Sequence, residues 1–134
     1  MSLRLYSVVI DCHDVAAQAR WWADVLDWRI FFEADDEVVV LPRHLTAEAV
    51  RSMPWDEIGP GLIFGHVPEG KTVKNRLHLD LAPQLDDDQD AMVESLLAKG
   101  ATRADVGQDV YEVSWVVLAD PEGNEFCVLS PRDR

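Results

Sequence analysis

The sequence predicts an α+β fold in which one motif, strand–helix–strand–strand–strand, is used twice. Three observations carry that prediction. Short stretches rich in β-branched and apolar residues, bounded by turn residues, recur along the 134 residues. Two amphipathic segments occupy matching places, one early in each half. Finally, "SVVID" (7–11) and "HLDLA" (78–82) align when Ser7 is set opposite His78, and a helix of similar length follows each. The chain is expected to form a single domain, 1–134, of two modules, about 1–68 and about 75–132. A ferredoxin-like sandwich, in which the repetition carries no meaning, is the alternative arrangement of the same elements.

The first module opens on "LRLYSVVID" (3–11), a strand by its β-branched content. Asp14 is a good N-cap for a helix from Val15 to about Trp28, with Val15, Ala19, Trp22, Val25 and Leu26 at helical spacing. "RIFFEA" (29–34) and "EVVVLP" (37–42) read as a hairpin turning at Asp35–Asp36. In the irregular stretch 43–61, Thr46 caps a short helix over 47–53, stopped by Pro54. "GLIFGHV" (61–67) is the closing strand, and 68–74 a polar connection.

The second module repeats the order. "RLHLDL" (76–81) alternates, placing Leu77, Leu79 and Leu81 on one face and His78 with Asp80 on the other. Asp86–Asp88 suit a helix N-terminus, where the dipole favours negative charge. Ala91, Met92, Leu96 and Leu97 then form an apolar stripe that Gly100 ends. "ATRADV" (101–106) and "YEVSWVVLAD" (111–120) are the next strands. "DPEGN" (120–124) is a tight turn with Gly where positive φ is wanted, and "EFCVLS" (125–130) is the last strand.

Composition narrows the function. With 25 acidic against 12 basic residues the net charge is −13, which repels phosphate backbones and anionic lipid surfaces. Neither nucleic acid nor a membrane is an expected partner. No apolar run is long enough to span a bilayer, and the opening "MSLRLYSVVID" lacks the features of a signal peptide, so the expectation is a cytoplasmic protein. Cys12 and Cys127 are too few and too far apart for a disulfide framework, and their apolar surroundings predict reduced, buried thiols.

The stretches "SVVIDCHDVAAQARWWADVLDW", "VKNRLHLDL" and "WVVLADPEGNEFCVL" together resemble the glyoxalase-like members of the vicinal oxygen chelate superfamily, which also holds bleomycin-resistance proteins and extradiol dioxygenases. The likeness covers nearly the whole chain apart from 43–60. It implies paired βαβββ modules forming an open, cup-shaped barrel, a small-molecule ligand, and a homodimer. In metal-dependent members two His and two Glu lining the cup hold a divalent ion that chelates neighbouring substrate oxygens. Residue by residue, the resemblance puts Ser7 at the first-strand ligand position, His78 at its counterpart, and Cys127 at the last-strand position. The strand 61–67 has no carboxylate, and only His66 there could bind a metal. The expectation is therefore no metal or other cofactor. If a divalent metal is held, its ligands are His78, Cys127 and His66.

Without a metal, His78 is the candidate acid/base or hydrogen-bond donor, and Asp80, two residues on, orients it or raises its pKa. Ser7, His78, Asp80, Trp115 and Cys127 make up the expected ligand-binding set, with Trp115 as a wall for a flat ligand. The same residues admit a plainer reading, in which His78 and Asp80 satisfy each other and nearby Lys74 or Arg76, and Trp115 and Cys127 are packing residues. The leading expectation is a glyoxalase-like protein that binds a small apolar or aromatic molecule, its usual metal site largely lost. The alternative is a lyase, isomerase or dioxygenase-like enzyme acting next to a carbonyl through His78; the glyoxalase I reaction does not suit this ligand set. A structural or interaction module is the third possibility.

Overall fold

The computed structural model describes residues 2–108 and 113–134. They divide into two compact units, Met1–Gly70 and Lys71–Arg134. In the first, β1 (Ser7–Cys12) leads into α1 (Val15–Leu26), followed by β2 (Arg29–Glu33), β3 (Glu37–Leu41), the short α2 (Ala47–Ser52), a single 3-10 turn over Trp55–Glu57, and β4 (Gly61–His66). The sheet order is β1-β4-β3-β2, with β1 and β4 parallel and the other pairs antiparallel.

Local chemistry explains the boundaries. Asp14 caps α1 by accepting from the Ala17 N–H at 3.1 Å. The helix ends two residues earlier than the spacing alone predicts, because Asp27 turns into the left-handed region at φ 53° and its N–H closes on the carbonyls of Ala23 and Asp24. Thr46 caps α2 as expected, accepting from Ala49 N–H. The first strand is shorter than the expected 3–11. Its partner β4 begins at Gly61, paired with Ser7, so no parallel strand lies beside Leu3–Tyr6, and Leu3, Leu5 and Tyr6 are exposed. Gly61 itself has no room for a side chain: a Cβ there would run into Leu41 and lie 3.1 Å from the Val40 carbonyl.

One face of this sheet and α1 form the core of the unit. Val38 and Val40 on β3, and Leu62 and Phe64 on β4, are buried together with Val15, Ala19 and Trp22 of the helix, which packs on these strands. The alternation along β3 and β4 leaves Val39 and Ile63 on the opposite face, only half-buried.

The second unit threads the same path with shorter strands: β5 (Leu79–Leu81), α3 (Gln89–Ala98), β6 (Thr102–Arg103), β7 (Val116–Ala119) and β8 (Glu125–Val128). Its sheet order, β5-β8-β7-β6, reproduces that of the first, again with the first and last strands parallel. The two βαβββ modules expected from the sequence are thus both present, and neither sheet closes on itself.

Three local expectations change. The strand predicted over 76–81 is reduced to Leu79–Leu81, so His78 precedes it and Leu77, outside the ladder, is exposed rather than inward. The apolar stripe of α3 is rotated: Val93 and Leu96 are the buried positions, while Met92 and Ala91 face outward. The strand predicted over 101–106 narrows to Thr102–Arg103, and of the one predicted over 111–120 only Val116–Ala119 is β-structure, residues 109–112 lying outside the described part. Asp88 caps α3 as its position suggests, and Gly100 follows the cap at φ 114°. In the turn 120–124 the buried Asp120 accepts from the N–H groups of Glu122 and Asn124, both at 3.0 Å, and Gly123 sits at φ 90°. No helix among the described residues is long and apolar enough to cross a membrane.

Candidate functional site

The second unit carries a concavity of about 280 Å³ on the sheet. Its floor follows from strand register. Asp80 on β5 stands directly across from Cys127 on β8, which in turn faces Val117 on β7. Glu125 and Leu129, two residues either side of Cys127, share its face and extend the floor along β8. His78, two residues before Asp80, reaches the same side, while Trp115, Val106 and Lys74 complete the walls.

Four residues of the expected ligand-binding set therefore meet here: His78, Asp80, Trp115 and Cys127. Trp115, which precedes β7 instead of lying within it, is 41% exposed, an aromatic surface open to a ligand. Ser7 and His66 belong to the first unit. Ser7 opens β1 and is half-buried; His66 ends β4, with its ring 6.1 Å from that of His13.

His78 Nε2 lies 3.2 Å from Asp80 Oδ1, with the two side chains 44% and 51% exposed. Such a pair is half in water, so its contribution to stability is small, but it fixes the imidazole in one orientation over the floor. Cys127 is buried beneath it. Burial pushes its thiol above the ordinary 9.0, and the neighbouring Asp80 carboxylate, by charge and by hydrogen bond, pushes the same way against a weaker opposing pull from Lys74. Cys127 is accordingly a protonated thiol at neutral pH, a polarisable part of the floor and not an activated nucleophile.

Behind this surface, Glu125 holds the chain that leads into β5. Its carboxylate takes Lys71 Nζ at 2.9 Å and the Asn75 N–H at 3.0 Å, and its side chain is 13% exposed against 19% for Lys71. Burial alone would raise its pKa, but the Lys71 ammonium and the Asn75 N–H outweigh it and hold the carboxyl below its ordinary 4.5. Val106, Val117, Glu125 and Leu129 in the concavity, and Lys71 paired with Glu125, are residues that the sequence did not single out. The one available signal was that Glu125 stands two residues from Cys127 on a strand and so shares its face.

The donors present can be weighed against a divalent metal. His78, Asp80 and Cys127 each bring a ligand atom, all within 4.8 Å of one another. Asp80 thus takes the place expected of His66 beside His78 and Cys127. The set comprises one imidazole, one exposed carboxylate and one buried thiol. Ser7 offers only a neutral hydroxyl, and β4, with the sequence GLIFGH, has no carboxylate. This does not fit the two-imidazole, two-carboxylate arrangement that the resemblance implies, nor the oxygen-rich shell of a hard cation.

Comparison with known proteins agrees with the architecture. The family model described as a glyoxalase-like domain matches residues 7–129. No curated protein sequence matches. Among solved structures, a glyoxalase/bleomycin resistance protein/dioxygenase family enzyme from Burkholderia phytofirmans PsJN superposes with a TM-score of 0.66 at 17% identity, covering 97% of this chain and 100% of its own. The genomically encoded fosfomycin resistance protein FosX from Listeria monocytogenes, solved with Mn(II) and sulfate, gives a TM-score of 0.68 at 11% identity over 98% of this chain and 93% of its own. A glyoxalase-related enzyme from Fulvimarina pelagi gives 0.62 at 14% identity, over 95% and 87% of the two chains. At these identities the likeness is one of fold.

Proposed function

We propose that this chain, which belongs to the glyoxalase-like domain family, binds a small apolar or aromatic molecule in the concavity of its second unit, without the usual metal. The observation that carries this reading is the composition of that concavity: an exposed indole, the apolar Val106, Val117 and Leu129 around Cys127, and the His78–Asp80 couple, with Lys74 and Glu125 the remaining polar groups of its lining. Small-molecule sites have this character, mostly apolar with a few convergent polar groups that set orientation. The Trp115 face stacks a flat ligand, and His78 donates or accepts one hydrogen bond to its polar end.

Quenching of Trp115 fluorescence by a panel of neutral aromatic ketones and phenols tests the reading, with the other four tryptophans replaced by Phe where they tolerate it. Saturable quenching is expected, weakened about tenfold in His78→Ala, the loss of one well-placed hydrogen bond. Exhaustive chelation of the protein should leave the affinity unchanged. Affinity that depends on an added divalent ion, or quenching indifferent to His78, would reject it.

A second reading rests on the 3.2 Å contact between His78 and Asp80. A carboxylate that orients an imidazole beside an apolar wall is the arrangement of a general base, and such a base can remove a proton next to a substrate carbonyl. Deuterium exchange into the α-position of a bound ketone, absent in His78→Ala, would favour this enzyme over the simple binder.

A further inference from the structure

The first unit holds a cavity of its own, about 190 Å³, that neither the family resemblance nor the site around His78 accounts for. Its walls are apolar: Val39 and Leu41 from β3, with Leu45, Val50 and Ile58 from the irregular stretch that follows. Set into its rim is a cation. The Arg4 guanidinium lies 5.0 Å from the ring centroid of Tyr6 and 5.0 Å from that of Trp55, between two aromatic faces, and its Nη1 donates to the Trp55 carbonyl at 3.1 Å. A second arginine stands behind the wall. Arg29 lies 5.2 Å from the Phe31 ring and donates to the Leu45 carbonyl, and Phe31 and Leu45 both line the cavity.

Two observations, taken together, set these two residues apart. The chain has 25 carboxylates for 12 basic side chains. Arg20, Arg43, Lys71 and Arg103 each meet one of them within 4.0 Å, yet among the described residues neither Arg4 nor Arg29 does. Both also carry a buried Nε with no acceptor. A guanidinium has five donors in a planar fork; Arg4 uses one, and its buried Nε has no acceptor among the described residues. A desolvated donor without an acceptor is unfavourable until something supplies one. The aromatic faces hold the cation in place but give it no hydrogen bond.

We propose that this cavity is a second ligand site, independent of the one at His78, and that it takes a small amphiphilic carboxylate: an apolar or aromatic body among Val39, Leu41, Val50 and Ile58, with the carboxylate against the Arg4 guanidinium at the rim. The planar fork matches a carboxylate bidentately, and a cavity of about 150 Å³ already admits a benzene-sized body in other proteins. Arg29 adds a second positive charge close to the same wall, without a carboxylate to cancel it.

Benzoate is the probe, titrated into the isotopically labelled full-length chain while the Trp55 indole and the amides of Tyr6, Leu45 and Ile58 are followed by NMR. Saturable shifts at these signals are expected, with benzamide, its neutral counterpart, binding at least tenfold more weakly. Arg4→Gln should weaken benzoate at least tenfold and Arg4→Lys, which keeps the charge but loses the fork, by an intermediate factor. His78→Ala should leave the titration unchanged, which separates this site from the other. Arg4 lies outside the strand ladder, so its variants retain the fold; Arg4→Lys remains decisive if Gln disturbs the Tyr6–Trp55 stack. Shifts confined to Trp115 and its neighbours, no saturable shift, equal affinity for benzamide, or wild-type affinity in Arg4→Gln would each overturn the proposal.

Discussion

The two units of this chain thread four strands in the same spatial order, with the first and last parallel, yet they use that frame differently. In the first, β1 and β4 pair over six residues and α1 covers one face of the sheet with Trp22 and Ala19. In the second, β5 is three residues long, β6 two, and the ladder itself carries Asp80, Glu125 and Cys127. Topology is a property of the hydrophobic alternation and the turns, and both units retain those. The chemistry of the opposite sheet face is free of that constraint, so one unit places an apolar wall there and the other a polar couple over a thiol.

The largest expected effect breaks the scaffold side of the comparison. Phe64 is completely buried at the centre of β4 between β1 and β3. Phe64→Ala should cost about 3–5 kcal/mol, the usual range for emptying a buried aromatic site, read as a fall in the denaturant midpoint. A loss below about 1 kcal/mol would mean that the long ladder of the first unit is not what stabilises it.

Next in size is the ion pair that sets the entry to β5. Lys71 and Glu125 are largely buried, and removing one partner of a buried pair leaves the other charge uncompensated. Glu125→Ala should cost about 2 kcal/mol, less than the full penalty for a fully buried pair because both side chains retain some contact with water. The pH dependence has a definite sign. Glu125 is held below 4.5 in the folded chain, so its contribution is fully present above the unfolded-state value and is lost as pH falls through the lower folded value. The wild-type protein should therefore lose stability more steeply than Glu125→Gln on acidification below about pH 4.5. Parallel curves for the two proteins would remove this pair from the account of the second unit.

The same contrast explains what could be read from the sequence. The βαβββ order was visible because alternation, caps and turn glycines are local signals: Asp14, Thr46, Asp88 and Gly123 each act within a few residues of their own position. His78, Asp80, Trp115 and Cys127 were visible as unusual residues on a regular pattern. Lys71 was not, because its partner Glu125 lies 54 residues away and no periodicity links a connecting loop to a strand start. Arg4 was hidden for the same reason, its partner Trp55 being 51 residues distant. Strand lengths were overestimated wherever an apolar run outlasted its neighbour, as at Leu3–Tyr6 and at Leu77, since a ladder ends where the partner ends.

The smallest effect is the sharpest test of the second unit's polar floor. Burial is the main reason the Cys127 thiol titrates above 9.0, and Asp80, directly across the ladder, is the next. Asp80→Asn removes the negative charge and the carboxylate acceptor but keeps the size of the side chain, so the thiol pKa should fall. Because the thiolate is the reactive form, alkylation of Cys127 by iodoacetamide at pH 8 should then speed up. Cys12 serves as the internal control. It is buried in the first unit, within 3.7 Å of the Gly65 carbonyl, and its rate should not change when both sites are followed by mass spectrometry. An unchanged Cys127 rate would mean that burial alone sets the thiol and that Asp80 belongs to His78. A faster rate at both cysteines would instead report loosening of the whole chain. Only acceleration confined to Cys127 identifies Asp80 as the residue that couples the imidazole above it to the sulfur below.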